Sequence, residues 1–266
     1  MDTTHSNAAN EYRERYVAFL DLLGFRALVE NAEVNEEARE RLTESLDHLR
    51  GTLCNDPAID MRFTYCSDSI VVTAERSQHG LWELLASVCS LTCNLLQNDV
   101  LVRGSMTRGG AFHSHQFVYG TAVSRAAVLE KDRAEGPKGP LVLLSPEVYE
   151  DAKAYGQPFL DWLEEDAPGR YFVHYLRGYA EYRDTPALPG KQVLDDDAGR
   201  VVHFISRRLM EDTGGVLGKA QWFQSYWNRT AARSGGFAAI ESGIVPERPE
   251  GRGSIVIRRL VAPGDA

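Results

Sequence analysis

The sequence predicts an α+β fold with a ferredoxin-like core and a C-terminal elaboration. Short runs rich in β-branched and aromatic residues alternate with stretches in which apolar residues recur every three or four positions. To about residue 155 the predicted order is β-α-β-β-α-β-β-α-β-α, which contains the β-α-β-β-α-β unit of ferredoxin-like folds. With 266 residues, of which 43% are hydrophobic, the chain is long enough to bury a sizeable core.

The core is predicted to span residues 12–155, after a polar tail of residues 1–11 that we expect to be flexible. Residues 15–21 are typical of a buried strand. A helical pattern follows from Gly24 to about Arg50, and its acidic segment ENAEVNEE favours a break into two helices.

The rest of the core is predicted to contain two hairpins, each followed by a helix, and a final strand and helix. Gly109-Gly110 is a composition that favours the second hairpin turn. Ser145 followed by Pro146 is a typical helix start. The predicted elements are strands 61–67 and 69–74, helix 79–99, strands 100–108 and 111–119, helix 121–131, strand 141–144 and a helix after Ser145.

Residues 156–266 are expected to form a C-terminal extension packed on the core. The segments EEDAPGR, RDTPALPGK and DDDAGR are rich in turn-forming residues and predict loops around short elements. Residues 218–233 have a helical pattern, and GSIVIRRLV predicts a last strand. The aromatic residues of that helix favour a position in the core or a dimer interface; they are Trp222, Phe223, Tyr226 and Trp227.

Charge and composition narrow the functional classes. A formal net charge of -9 argues against binding duplex nucleic acid, which requires an excess of Lys and Arg. No apolar run approaches the ~20 residues needed to span a bilayer, and the N-terminus lacks the apolar segment of a secretory signal. The four cysteines form no C-x-x-C pair. We therefore expect a reduced cytoplasmic protein that contacts neither membrane nor nucleic acid.

Two acidic residues stand at the ends of strand-like runs. Asp21 ends the first predicted strand, and Asp68 lies at the bend of the hairpin that follows. In a ferredoxin-like sheet these elements pair side by side, so the two carboxylates are expected to converge. Two close carboxylates repel unless a cation lies between them, and Mg²⁺ or Mn²⁺ favours such oxygen ligands. The alternative is that each acid caps its own turn.

Several segments resemble the motifs of class III nucleotide cyclases, in the same order, over about residues 14–155. FLDLLGF resembles the first-strand motif F-x-D-hydrophobic-x-G-F. YCSDSIVV resembles the hairpin motif that ends in Gly-Asp, with Ser67 in place of the glycine. YGTAVSRAAVLE is similar to the helix motif G-x-x-V-N-x-A-x-R-L-E. VRGSMTRG and GPLVLLSPEVYE resemble the flanking strands.

The resemblance implies a class III cyclase core, a chemistry and a set of site residues. Asp21, Asp68 and the backbone carbonyl of Leu22 would bind two divalent ions, Mn²⁺ or Mg²⁺. The turn amides of Leu23, Gly24 and Phe25 would hold the triphosphate. The ribose 3′-hydroxyl would attack the α-phosphorus and release pyrophosphate, in a homodimer whose active sites are shared between subunits.

Two positions of the family's catalytic helix differ here. The family's transition-state asparagine falls on Ser124, and its arginine falls on Val128. Arg125 and Arg103 are candidate replacements, and Arg108 is a third. Arg103 and Arg108 are five residues apart, so in a regular strand they face opposite sides.

The base-contacting positions differ as well. Thr64 stands where adenylate cyclases have a lysine, and Phe117 where they have an aspartate. This divergence resembles the bacterial pyrimidine cyclases of Pycsar antiphage defence. It implies that UTP or CTP is converted to a cyclic monophosphate for a separate effector, with Tyr65 and Phe117 as candidates that contact the base. Two alternatives remain open: a purine cyclase, and a degenerate cyclase fold that binds nucleotide or mediates dimerisation.

Overall fold

The computed structural model describes residues 12–52, 55–114, 116–131, 139–177, 191–234 and 237–249. The strands are β1 (Arg13–Leu23), β2 (Arg62–Cys66), β3 (Ser69–Glu75), β4 (Leu101–His113), β5 (Val118–Tyr119), β6 (Val142–Leu144), β7 (Leu163–Ala167) and β8 (Arg170–Val173). The helices are α1 (Phe25–Val34), α2 (Glu36–Thr52), α3 (Gln78–Gln97), α4 (Thr121–Lys131), α5 (Pro146–Tyr155), α6 (Gln157–Leu160), α7 (Lys191–Glu211) and α8 (Gly214–Ser234).

One sheet organises these elements, in the order β2-β3-β1-β4-β6-β8-β7, with β5 paired to β4. β1 pairs antiparallel with β3 and with β4, and β2 pairs antiparallel with β3. This order and connectivity are those of a ferredoxin-like β-α-β-β-α-β unit, so the predicted fold class is confirmed. β6 joins β4 in parallel, and the β7–β8 hairpin extends the sheet.

β1 is buried on both faces because helices cover both sides of the sheet. Tyr16, Ala18 and Leu20 point into the main hydrophobic core, which includes α3. Val17 packs on the other face with Ala122 and Ala126 of α4. Because side chains alternate along a strand, the odd-numbered residues of β1, including Asp21, share the side covered by α4. We call this side the α4 face.

α3 is buried almost all round, because it lies between the sheet and other elements of the main core. Its cysteines are core residues, as predicted: the thiols of Cys89 and Cys93 donate to the carbonyl of Tyr175 at 3.3 and 2.9 Å. Ser77 caps the helix by accepting a hydrogen bond from the amide of Gly80 at 2.9 Å. A helix with apolar residues on all sides requires such complete burial.

The C-terminal extension is more helical than the sequence pattern predicts. The segment DDDAGR, expected to be a loop, lies within the long helix α7. There Asp197 and Arg200 are buried and form an ion pair of 2.5 Å within the helix, which offsets part of the low helix propensity of aspartate. The predicted helix 218–233 is confirmed within α8, and Phe223, Tyr226 and Trp227 are fully buried in the core.

The predicted hairpin at Gly109-Gly110 is wrong. β4 runs through both glycines to His113, and the chain turns back only after Ser114 to form β5. A Cβ on Gly109 would lie 2.4 Å from the Arg125 side chain, and one on Gly110 would lie 2.5 Å from the ring of Tyr12. These glycines therefore allow close packing against a strand and do not form a turn.

Three predictions fall outside the described residues: the flexible tail of residues 1–11, the loop in RDTPALPGK over residues 183–190, and the last strand in residues 253–261. Within the residues that the structure describes, no helix is long and apolar enough to cross a membrane.

Candidate active site

The two strand-end acids lie at the same end of the sheet. On the β1–β3 ladder Asp21 is opposite Ser69, the residue that follows Asp68. The amide of Leu22 donates a hydrogen bond of 2.8 Å to the carbonyl of Asp68. Asp68 is therefore a cross-strand neighbour of the Asp21-Leu22 segment. The two residues named first from the sequence are thus brought together by strand pairing.

Ser67, which precedes Asp68, has the backbone conformation that a tight turn requires at its first central residue. Only Ser67 and Asp68 separate β2 from β3. Ser67 has a φ of 58°, whereas Asp68 is not among the described residues with positive φ. A positive φ at the first central residue alone is the signature of a type II′ turn, which favours glycine there. The backbone geometry that suits glycine is retained although the residue is serine.

Arg103 is hydrogen-bonded to the carboxylate of Asp21. The two residues are cross-strand partners on β1 and β4, and the Arg103 Nε donates to the Asp21 Oδ2 at 2.7 Å. The same Nε lies 2.6 Å from the Oε1 of Glu130 on α4. The Asp21 side chain is 16% exposed, whereas that of Glu130 is 1% exposed. One guanidinium therefore links two carboxylates across the sheet and its covering helix.

The turn after β1 presents backbone amides beside the acid pair. Gly24 has φ 80° and is the N-cap of α1, where its conformation favours glycine. No side chain of the N-cap bonds to the first turn, and a Cβ on Gly24 would meet nothing within 4 Å. The amide end of α1 that begins at Phe25 thus faces open space. Leu23 lies in the β1–β4 ladder opposite Leu101.

The donor set at this end of the sheet fits a divalent cation that is completed by other ligands. Asp21 and Asp68 supply carboxylate oxygens, and both side chains are partly exposed. Within the described ranges no group of three or more His, Cys, Asp or Glu side chains could hold a metal by itself. Further oxygen ligands would have to come from backbone carbonyls, water or substrate phosphates, as Mg²⁺ commonly has.

Ser124 and Arg125 do not reach Asp21 within one chain. Both lie on the outward side of α4 together with Val128, which is 61% exposed. Arg125 donates to the carbonyl of Arg108 and pairs with Glu147 at 3.3 Å. These side chains are therefore presented to the exterior of the chain.

Arg108 cannot replace the missing arginine of the resembled family in a site that contains Asp21. It lies on the face opposite to Arg103, as strand alternation predicts, and pairs with Asp151 of α5 at 2.6 Å. The hydroxyl of Tyr16 also donates to Asp151, at 2.8 Å. The hydrogen bond from Arg108 to Asp151 is the largest influence on the Arg108 guanidinium and raises its pKa.

Thr64 and Tyr65 lie on opposite faces of the sheet. The β2–β3 register is continuous, so no bulge brings them to one side. The Thr64 hydroxyl lies 2.8 Å from the Nε2 of His113, on the α4 face. Tyr65 instead packs edge-on against Phe63, at 5.5 Å between ring centroids. Tyr65 is therefore withdrawn as a base-contacting residue of a site on the α4 face.

Phe117 lies far from Asp21 in the same chain. It is 62% exposed at the tip of the β4–β5 hairpin, where its carbonyl accepts a hydrogen bond of 2.8 Å from Ser114. Ten strand residues separate Arg103, the partner of Asp21, from His113 near this tip, which corresponds to about 30 Å. Phe117 cannot contact a nucleotide held by Asp21 of its own chain.

Glu130 is a site residue that the sequence analysis missed. Ala122, Ala126 and Glu130 recur every four residues on α4 and are all buried. The sequence pattern could have identified it, because Glu130 continues the buried apolar stripe of α4. A buried carboxylate requires a partner, so an acid at such a position indicates a charged or polar neighbour.

Comparisons with known proteins yield only distant likenesses. No protein-family model and no curated protein matches the chain. The chain is similar to the catalytic core of a rhodopsin-guanylyl cyclase with converted specificity in complex with ATPalphaS. Identity is 12% and the TM-score 0.41, over 61% of this chain and 95% of that one.

It is also similar to the non-canonical dimeric guanylyl cyclase domain of the RhoGC fusion protein from the aquatic fungus Blastocladiella emersonii. Here identity is 12% and the TM-score 0.39, over 61% of this chain and 97% of that one. These structural neighbours are nucleotide cyclase catalytic domains. At such low identity and TM-score, the likeness supports no conclusion about activity, substrate or assembly.

Proposed function

We propose that the chain is a metal-dependent nucleotide cyclase. The observation that carries this proposal is the pairing of the Asp21-Leu22 segment with Asp68 at one end of the sheet, beside the Gly24 turn. Two neighbouring carboxylates are costly without a cation, and an uncapped helix N-terminus favours phosphate. Together they suit a nucleoside triphosphate with its divalent ions.

The roles of the chain's own residues follow from their positions. Asp21, Asp68 and the Leu22 carbonyl would hold two ions, Mn²⁺ or Mg²⁺. Bound there, these ions would activate the ribose 3′-hydroxyl and neutralise charge on the phosphates. The amides that begin at Gly24 and Phe25 would orient the triphosphate, since the positive end of the α1 dipole favours anions.

A homodimer is part of the proposal, because one chain does not bring all candidate residues together. Ser124 and Arg125 face outward, and Phe117 lies about 30 Å from Asp21 along the strands. They can act on the same nucleotide only if a second copy presents them. The outward apolar side chain of Val128 favours such a contact.

Mixing two inactive variants tests the shared site. A chain with Asp21→Asn and a chain with Arg125→Ala should each be inactive alone. In a heterodimer, one of the two sites combines an intact Asp21 with an intact Arg125, so mixing should restore part of the activity. Heterodimers that form without any rescue would show that each site is self-contained.

For the base, we propose a pyrimidine, with UTP preferred over CTP, and a cyclic product that serves antiphage defence through a separate effector. Thr64 and Phe117 lack the charges that would pair with a purine edge. The Thr64 hydroxyl contacts His113 yet can still make a second hydrogen bond, and the Phe117 ring can stack on a base. The preference for UTP comes from the resemblance of the sequence motifs.

One assay tests both levels of this function. The full chain is incubated with ATP, GTP, CTP and UTP at equal concentrations and Mn²⁺, and cyclic products are identified by mass spectrometry. We expect cyclic UMP to dominate. Cyclic AMP or cyclic GMP as the main product would contradict the pyrimidine assignment while leaving the cyclase, and no cyclic product would contradict the cyclase.

A catalytically degenerate protein is the second candidate, favoured by one observation. Asp21 is already neutralised by Arg103, and Ser124 and Val128 replace the residues that stabilise the transition state in the resembled family. Such a protein would bind nucleoside triphosphate without converting it. Nucleotide binding by calorimetry, together with no cyclic product from any of the four nucleotides, would establish this alternative.

A further inference from the structure

Arg103 is shared by two carboxylates that differ strongly in burial. Its Nε lies 2.7 Å from Asp21 and 2.6 Å from Glu130. An arginine Nε carries a single hydrogen, so it can be directed fully at only one of the two oxygens. The hydrogen bond is made to Asp21, and Glu130 interacts with the same nitrogen as an ion pair. Arg103 is thus positioned to serve either acid.

Burial decides which of the two acids can release Arg103. Glu130 is 1% exposed, on the inner side of α4, whereas Asp21 is 16% exposed at the open end of the sheet. An ion pair to a buried carboxylate is strengthened by the low polarity around it and is not open to exchange with an ion from solvent. The Asp21 carboxylate can exchange its partner for an ion that arrives from solvent. Arg103 is therefore bound more firmly to Glu130 than to Asp21.

The charge balance of this corner favours such an exchange. Asp21, Asp68 and Glu130 contribute three carboxylates against the one guanidinium of Arg103, an excess of two negative charges among these four side chains. One divalent cation at Asp21 and Asp68 would neutralise the group while Arg103 stayed paired with Glu130. Without Glu130, Arg103 would have Asp21 as its carboxylate partner and would compete with the cation.

We infer that Glu130 is a positioning residue that draws Arg103 away from Asp21 and so admits the divalent cation. Arg103 neutralises Asp21 while the metal is absent, and it pairs with Glu130 alone once the metal is bound. This inference rests on the proposed function, because it concerns the same metal site. It adds an acid outside the aspartate pair that sets the affinity of the site for metal.

Mn²⁺ titration followed by electron paramagnetic resonance tests the inference on the full chain without nucleotide. The Glu130→Gln variant should bind Mn²⁺ about tenfold more weakly, because Arg103 then competes for Asp21 throughout. The double variant Arg103→Met with Glu130→Gln removes both the competitor and the buried charge. It should bind Mn²⁺ more tightly than the unaltered chain. If Glu130 has a purely structural role, Glu130→Gln should instead weaken Mn²⁺ binding by the same factor in the Arg103→Met background as in the unaltered chain.

The double variant keeps the test decisive if Glu130→Gln alone does not fold, because its affinity is compared directly with that of the unaltered chain. A matched control is Glu83→Gln, which alters a buried glutamate of α3 and should leave Mn²⁺ affinity unchanged. The inference is overturned if the double variant binds no more tightly than the unaltered chain. It is also overturned if a folded Glu130→Gln variant binds as tightly.

The Asp21→Asn variant separates this inference from the proposed function. Suppose that Asp21→Asn loses Mn²⁺ binding, whereas Glu130→Gln binds Mn²⁺ no more weakly than the unaltered chain and the double variant binds it no more tightly. Only the role of Glu130 is then contradicted. If the unaltered chain binds no Mn²⁺, or Asp21→Asn binds it equally well, the metal site fails and the proposed function fails with it.

Discussion

Two charged clusters lie on the α4 face at opposite ends of the sheet. One has more arginines than acids, and the other has more acids than arginines. At the start of β1, one carboxylate, Asp60, forms ion pairs with Arg13, Arg15 and Arg62. At the other end, one guanidinium is shared by two carboxylates, and Asp68 adds a third acid nearby. Arg15 and Asp21 are six positions apart on β1, which corresponds to about 20 Å.

The ion pairs of the arginine-rich end stabilise the fold. Arg15 is fully buried and donates to both the carboxylate and the backbone carbonyl of Asp60. Burial lowers the pKa of the Arg15 guanidinium, an effect that the charge of Asp60 opposes. Arg62 links the same cluster to the carbonyl of His113. A carboxylate held by three cations has little capacity left for a ligand.

The acid-rich end has the opposite character, because the described residues place three carboxylates, Asp21, Asp68 and Glu130, around the Arg103 guanidinium. The two ends do not differ in the exposure of the aspartate itself, since the Asp60 side chain is 14% exposed and that of Asp21 is 16% exposed. A carboxylate surrounded by arginines therefore indicates a stabilising role, whereas several carboxylates around one guanidinium indicate a site for a cation. Substitutions at the two ends should therefore differ in kind: one set should reduce activity, the other stability.

The largest expected effect is on activity at the acid-rich end. Asp21→Asn or Asp68→Asn should lower the rate of cyclic nucleotide formation by about a thousandfold or more, because each removes charge needed at the reacting phosphates. The rate is measured by mass spectrometry of the product. The exposed Asp47→Asn on α2 serves as the control, and comparable activity of all three variants would contradict the site assignment.

The next largest effect is on stability at the arginine-rich end. Asp60→Asn should lower the free energy of unfolding by about 3–5 kcal/mol, because it leaves the buried Arg15 without its charge partner. Asp21→Asn should change the same quantity by less than about 1 kcal/mol, since Arg103 is partly exposed and keeps Glu130 as a carboxylate partner. Urea denaturation measures both. Equal losses for the two variants would break the distinction between the clusters.

A third effect arises from His174 and must be separated from both clusters when stability is studied against pH. Burial lowers the pKa of His174 to about 4, so the folded chain keeps the imidazole neutral. The unfolded chain binds a proton below about pH 6.5. Stability should therefore fall as pH decreases from about 6.5 to 4, by at most about 3 kcal/mol, and then level off.

Unfolding measured at several pH values with His174→Gln checks this effect. The variant should lose the decline between about pH 6.5 and 4, because glutamine does not titrate. A decline that persists unchanged would assign the pH dependence to other groups.

The smallest expected effect concerns the turn of the acid-rich end. Ser67→Gly should raise the free energy of unfolding by about 0.5–1 kcal/mol, because φ 58° costs serine more than glycine. Thermal unfolding measures the gain. Ser69→Gly, at the adjacent strand position, is the matched control and should destabilise, since its extended backbone does not favour glycine.

Features that depend on local pattern could be predicted from the amino-acid sequence. Except for the strand boundaries around Gly109-Gly110, alternating and helical periodicity located the strands and helices through α5, because apolar spacing reflects which side of each element is buried. The acids of FLDLLGF and YCSDSIVV were placed at strand ends for the same reason. Once the order of elements indicated a ferredoxin-like unit, pairing of β1 with β3 brought Asp21 and Asp68 together without further information.

Features that depend on contacts distant in sequence could be recognised only in the folded chain. Gly109 and Gly110 resemble a turn locally, yet they remain in β4 because Arg125 and Tyr12 pack against them. The acids of DDDAGR lie within α7, where packing of Ala198 and Val201 in the main core offsets the low helix propensity of aspartate. Arg103 and Glu130 are 27 positions apart and meet through the packing of α4 on the sheet. Periodicity indicates which face is buried, but the partner of a buried charge is set by which elements pack together.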